Sequence, residues 1–157
     1  MSEITAWRVV KARHASTAFS GEGAKREGGR WNSPGVPVVY LAESRALAVL
    51  EVLVHLNANE FLKHYRVISA TFSDTLVSEI PAIELPDNWK REPPPLSTMR
   101  LGDRWFASGK SAVLRVPSTI VPAESNFLLN PGHPDYVKIK LGIPEPFRID
   151  RRLKRER

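Results

Sequence analysis

The run from Glu43 to Asn57, ESRALAVLEVLVHLN, is apolar on almost every side when wound into a helix. Leu47, Val49, Leu50, Val52, Leu53, Val54 and Leu56 leave little surface suited to water, so this helix is expected to be mostly buried. Its polar strip is narrow. Ser44, Ala48, Glu51 and His55, spaced i, i+4, i+7 and i+11, share one face that either meets solvent or lines a cleft. The flanking runs have strand character: VPVVYLA before the helix is short, apolar and β-branched, and HYRVISATF follows at 64–72.

The rest of the chain supplies more strands than helices. Alternating and aromatic residues in AWRVVKA mark a first strand near residues 5–12, and the polar, glycine-rich SGEGAKREGGRWNSPG reads as a loop. IPAIELPDNWKREPPPL is a connection, because three consecutive prolines exclude regular helix and central strand. LSTMRLGDRWFASG reads as a second helix. SAVLRVPS and NFLLN are short strands bracketing PSTIVPAES, and YVKIKLG and EPFRIDRR supply the last two. Helices and strands do not alternate regularly and no repeat is visible. The expected fold class is therefore α+β, a domain built on a single mixed sheet.

Composition narrows the function. The 157 residues, 42% hydrophobic, suffice for one domain with a real core. No stretch approaches the roughly 18 to 20 apolar residues of a membrane span, and MSEITAWRVVKAR lacks the apolar centre of a secretion signal, so a cytoplasmic protein without membrane contact is expected. With no cysteine, thiol nucleophiles, thiolate metal sites and disulfide frameworks drop out. The net charge of +6 is concentrated at the end. Arg148, Arg151, Arg152, Lys154, Arg155 and Arg157 face only Asp150 and Glu156 there. Residues 152–157 are therefore set apart as a short basic C-terminal tail that touches an acidic partner or keeps the chain soluble. A duplex-reading protein needs its basic face on the folded body.

Polar side chains gather in three segments: GGRWNSPG, the Glu51 helix, and RVPSTIVPAESNFLLNPGHPDY. Each alone is also compatible with ordinary structure, a turn, a solvated helix face and a capped loop. Taken together and in order, GGRWNSPG, VVYLAES, ALAVLEVLVH, STMRLGDRWFASGKSAVLRVPS and ESNFLLNPGHPDY, followed by FRIDRRL, resemble the RES domain, a family named for an arginine, a glutamate and a serine. The resemblance spans residues 1–151. It implies that Arg30 is the family arginine, Glu51 the glutamate and Ser118 the serine, with Ser125 as the nearby alternative, and that Tyr40 and Asn126 are further site positions.

The resemblance also implies an ADP-ribosyltransferase-like fold and NAD as substrate. Cleaving nicotinamide from NAD passes through an oxocarbenium-like transition state. Glu51 would face the ribose and oppose the growing positive charge. Arg30, with its planar fork of donors, would hold the pyrophosphate or a ribose oxygen, while Gly28 and Gly29 let the backbone come close. Tyr40 would stack on or wall off the nicotinamide, or else pack in the core. Ser118 would hydrogen-bond at the nicotinamide riboside, and Asn126 would hold the loop or a cofactor oxygen. A serine-hydrolase triad of Ser118 with His55 or His133 is disfavoured, since no dedicated base is recognisable beside the serine. The histidines, His14, His55, His64 and His133, show no metal-ligand spacing, so no metal is expected. The implied function is the toxin of a toxin–antitoxin system, depleting NAD by passing ADP-ribose to water or phosphate. Two other readings stay open: ADP-ribosylation of a specific cellular protein by the same site, and a non-enzymatic binding module acting through the basic tail. The implied partner is an antitoxin with an Xre-like helix-turn-helix region, through which alone DNA is reached.

Overall fold

The computed structural model describes residues 2–153 and shows the α+β class and mixed sheet expected from the sequence. Eight strands, β1 (Glu3–Lys11), β2 (Val39–Ala42), β3 (Tyr65–Ser73), β4 (Val77–Glu79), β5 (Val113–Pro117), β6 (Ser125–Leu129), β7 (Lys140–Leu141) and β8 (Glu145–Phe147), join one sheet. Their order is β4-β5-β6-β2-β1-β3-β7, with β8 also pairing with β3. Among the described residues only β4 and β5 run parallel. Three α-helices complete the frame: α1 (Glu22–Glu27), α2 (Arg45–Leu53) and α3 (Leu96–Ser108).

Two-residue periodicity sorts the side chains between the sheet's faces. Val39, Leu41, Val113, Phe127 and Leu129 fill one hydrophobic cluster. The alternate positions Tyr40, Leu114, Val116 and Leu128 fill another with Trp31 and Trp105, while Ala42 packs beneath α2. Continuing the alternation, Ser118 and Asn126 fall on the face carrying α2. The sheet is weakly joined in the middle. All four residues of β2 pair with β6, whereas β1 meets β2 at a single pair, Trp7 opposite Ala42. The strands diverge from there, and the principal cavity opens over the divergence.

Three expectations are corrected. Helix α2 is not mostly buried: Leu47 (1% exposed) and Ala48 (4%) anchor it, but Leu50 is 37% exposed and Val54, just past its end, 62%. One layer of sheet covers only one side of a helix, and burying Leu47 alone contributes about 2 kcal/mol. The segment expected as a loop contains α1, which Gly21 and Gly28 bracket with φ of +79° and +75°. A helix of six residues is too short to display a period. The short β4 was not anticipated either, because it precedes the proline-rich connection without an alternation of its own. Where the basic tail begins, Arg151–Leu153 form a 3-10 turn in which Arg152 pairs with Asp150, and residues 154–157 lie outside the described residues.

Candidate active site

Ser44 caps α2 by accepting from the Leu47 amide at 3.0 Å, and two turns later the helix delivers Glu51 to the sheet. Ser118 Oγ donates to Glu51 Oε1 at 2.8 Å, and Asn126 Nδ2 donates to the same oxygen at 3.0 Å. Oε2 accepts no bond among the described residues. The helix's polar strip lines a cleft: Ala48, Glu51 and His55 stand in the wall of a cavity of about 730 Å³, which also takes in Arg30, Tyr40 and Asn126.

Ser118 sits behind this wall. It is fully buried (0% exposed), and its Oγ also accepts from the Ile120 and Val121 amides, each at 3.1 Å. A hydroxyl has one proton to give and two lone pairs, and all are engaged. The hydroxyl expected to meet the nicotinamide riboside is thus engaged, among the described residues, with Glu51 and these two amides. No histidine bonds to it, and His133 instead contacts the Gly109 carbonyl at 2.8 Å and accepts from the Asp135 amide at 3.0 Å. Ser125 is placed differently. Its amide donates to the Glu43 carboxylate and its carbonyl accepts from the Glu43 amide at 3.0 Å, which ties the start of β6 to the approach to α2.

Arg30 rides on a rigid turn. Gly29 and Asn32 form an isolated β-bridge around it. Asn32 is fully buried, and its Nδ2 donates to the carbonyls of Ala24 and Val36 at 2.9 and 3.0 Å. Tyr40 closes the turn from β2. Its hydroxyl donates to Asn32 Oδ1 at 2.6 Å and accepts from the Trp31 amide at 3.1 Å. Burial raises the Tyr40 phenol well above its ordinary range, so it stays protonated as the donor. Helix α3 supports the turn from below, with Asp103 accepting from the Ser33 amide at 2.9 Å and from its hydroxyl at 2.5 Å. Glycine is required twice here. A Cβ on Gly29 would stand 2.8 Å from the Tyr40 hydroxyl, and one on Gly102 would stand 1.6 Å from the Trp31 carbonyl oxygen. The Arg30 guanidinium reaches across to the proline-rich connection. Nη1 donates to the carbonyls of Trp89 (3.0 Å) and Arg91 (2.7 Å), and Nη2 to Glu92 Oε2 (2.6 Å).

The model of the RES domain matches residues 5–150 of this chain. The chain belongs to the RES-domain family. This RES domain is 38% identical over 149 residues to "Toxin Res" of Yersinia enterocolitica, covering 94% of this chain and 98% of that protein. It is 41% identical over 155 residues to the "Prs ADP-ribosylating toxin" of a Sphingobium species, covering 96% of each. Among solved structures it resembles the Mycobacterium tuberculosis MbcT–MbcA toxin–antitoxin complex, with a TM-score of 0.75 over 94% of this chain and 85% of that one. At 20% identity the likeness is one of fold.

Among the cavity residues of this RES domain that the sequence did not single out is a charged one. Arg8 of β1 stands where β1 and β2 diverge, and its Nη1 donates to the Tyr40 carbonyl at 3.0 Å. Its Nε is buried without a partner, and it has no carboxylate partner among the described residues. Burial lowers its guanidinium to about 10, still charged at neutral pH. The signal, a charge inside the apolar run AWRVVKA, was visible, but one strand does not reveal where its neighbour departs. Asn126 Oδ1 is likewise buried without a partner. Among the described residues no three His, Asp or Glu side chains group to hold a metal, and no helix is long and apolar enough to cross a membrane.

Proposed function

We propose that this RES domain is the toxic enzyme of a toxin–antitoxin pair and cleaves the N-glycosidic bond between nicotinamide and ribose in NAD. The observation that carries this reading is the Glu51 carboxylate, fixed through Oε1 by Ser118 and Asn126 in the wall of a cavity of about 730 Å³, with Oε2 unengaged. In this reading Oε2 faces the ribose. As the C1′–N bond breaks, its electron pair leaves on the nicotinamide nitrogen, which becomes neutral, and positive charge grows on the sugar. A carboxylate held in place opposes that charge without reorganising, an effect worth about 10²- to 10³-fold in rate. A water or phosphate oxygen then bonds to C1′, and a water's surplus proton passes to solvent.

The remaining roles follow from position. Arg30, and with it Arg8, balances the pyrophosphate from the cavity wall, and Tyr40 borders the nicotinamide end. Ser118 and Asn126 hold Glu51 rather than attack. The names of the full-length relatives, a Res toxin and an ADP-ribosylating toxin, support a toxin that uses NAD. The second of these also favours an alternative acceptor, a side chain of one cellular protein, with the same cleavage step. NAD is drawn from the cytoplasm in either case.

The partner in this reading is an antitoxin with an Xre-like helix-turn-helix region, and DNA is reached only through it. The fold neighbour, solved as a toxin–antitoxin complex, supports an antitoxin partner.

The deciding experiment incubates purified protein with labelled NAD, alone or with cell lysate. Nicotinamide release in step with NAD loss, with no labelled protein, supports depletion. One discrete labelled band supports transfer to a target. Intact NAD in both mixtures would rule out the enzyme reading.

A further inference from the structure

The guanidinium assigned to phosphate binding already holds an anion. Nη2 of Arg30 donates to Glu92 Oε2 at 2.6 Å, a short charge-assisted bond. The partners differ in freedom. The Arg30 side chain is 13% exposed and held by two backbone carbonyls through Nη1, whereas the Glu92 side chain is 67% exposed. Glu92 and Pro94 belong to the same cavity wall as Arg30 and Glu51.

We propose that Glu92 is an internal anion that occupies the outer donor of Arg30 until the pyrophosphate of the substrate replaces it, and so sets the affinity of the cavity for an anionic dinucleotide. This rests on reading Arg30 as a phosphate ligand. The two halves of the clasp have separate roles. The Nη1 bonds to the Trp89 and Arg91 carbonyls hold the main chain of the connection and persist whatever the Glu92 side chain does. The Nη2 bond neutralises the guanidinium and places a negative charge in the wall that a doubly anionic pyrophosphate must approach. An ion pair with one mostly exposed partner is weak, and pyrophosphate offers the same nitrogen more charge. Pro93, Pro94 and Pro95 restrict φ along the connection. A turn of the Glu92 side chain is the movement the exchange needs.

The test compares wild type with Glu92→Gln and Glu92→Lys, measuring KM and kcat for nicotinamide release and, independently of turnover, the binding of inorganic pyrophosphate by calorimetry. Glu92→Gln should lower both the KM for NAD and the Kd for pyrophosphate by about 1.5- to fivefold, the span of such an ion pair. The effect should be confined to KM and be larger for Glu92→Lys. Raising the salt concentration should bring all three proteins together. Unchanged or weaker pyrophosphate binding in both variants overturns the proposal, even if NAD turnover is normal. Tighter pyrophosphate binding with no NAD turnover in any of the three supports the exchange while rejecting the enzyme reading.

Discussion

Ser118 Oγ and Asn126 Nδ2 converge on one oxygen of Glu51, at 2.8 and 3.0 Å, so a fully buried serine orients a carboxylate in a cavity wall from behind. In the proposed reading the serine orients Glu51 rather than attacking, which gives it a testable signature.

Ser118→Ala removes one donor to Glu51 and leaves the Ile120 and Val121 amides without their acceptor. Each buried group left unpaired costs about 1 to 3 kcal/mol. The variant should melt at a lower temperature and release nicotinamide about tenfold more slowly, less than the roughly 10²- to 10³-fold lost with a group that itself meets the reacting centre. Complete loss of turnover in a folded variant would point to a nucleophile instead.

Glu51→Gln keeps an oxygen to accept from Ser118 and Asn126 but removes the charge. Melting temperature should stay close to that of wild type while nicotinamide release falls about 10²-fold or more. Glu51→Ala should abolish growth inhibition while leaving the fold intact. Persistent toxicity of a stably expressed Glu51→Ala protein would displace the site.

Arg8 predicts a conflict between stability and binding. Because burial lowers its guanidinium to about 10, the folded chain binds fewer protons than the unfolded one from about pH 10 up to the ordinary arginine range. Stability from this group therefore rises with pH through that window, and below it the full cost of the buried charge is present. Arg8→Met should be as stable as wild type at pH 7, or more so by about 1 kcal/mol, with the difference shrinking above pH 10. Its NAD binding should be weaker. A variant markedly less stable at pH 7 would contradict the cost assigned to the charge.

Gly102→Ala should be among the most damaging single-methyl additions. The new Cβ would lie 1.6 Å from the Trp31 carbonyl oxygen, a contact with backbone that rotamer change cannot relieve. The expected cost is about 3 kcal/mol, the upper part of the overpacking range. Denaturant titration reads the loss, and wild-type stability in this variant would mean that α3 and the Arg30 turn are not packed as described.

Much of the site was legible along the chain because its motifs are local. The helical strip of Ala48, Glu51 and His55 could be counted from the sequence, and it does line the cleft. GGRWNSPG announced a turn, although its glycines concealed the helix before it. Arg8 was not legible, since its setting depends on β1 and β2 parting after the Trp7–Ala42 pair, and pairing between distant strands leaves no mark in either. The degree to which α2 is buried was equally hidden. An apolar helix surface shows what can be covered, while the number of layers laid on it is a property of the whole fold.

The residue types and short-range spacings were enough to determine the α+β class, most of the strands, helices α2 and α3 and the family, because periodicity and motif order lie within single segments. Tertiary structure decided the partners. It turned Ser118 inward to Glu51, gave Arg30 to Glu92 and two carbonyls, and left Arg8 charged without a carboxylate among the described residues. Such contacts join residues tens of positions apart, and their strength depends on burial and on competing donors, which exist only once the sheet has closed around them.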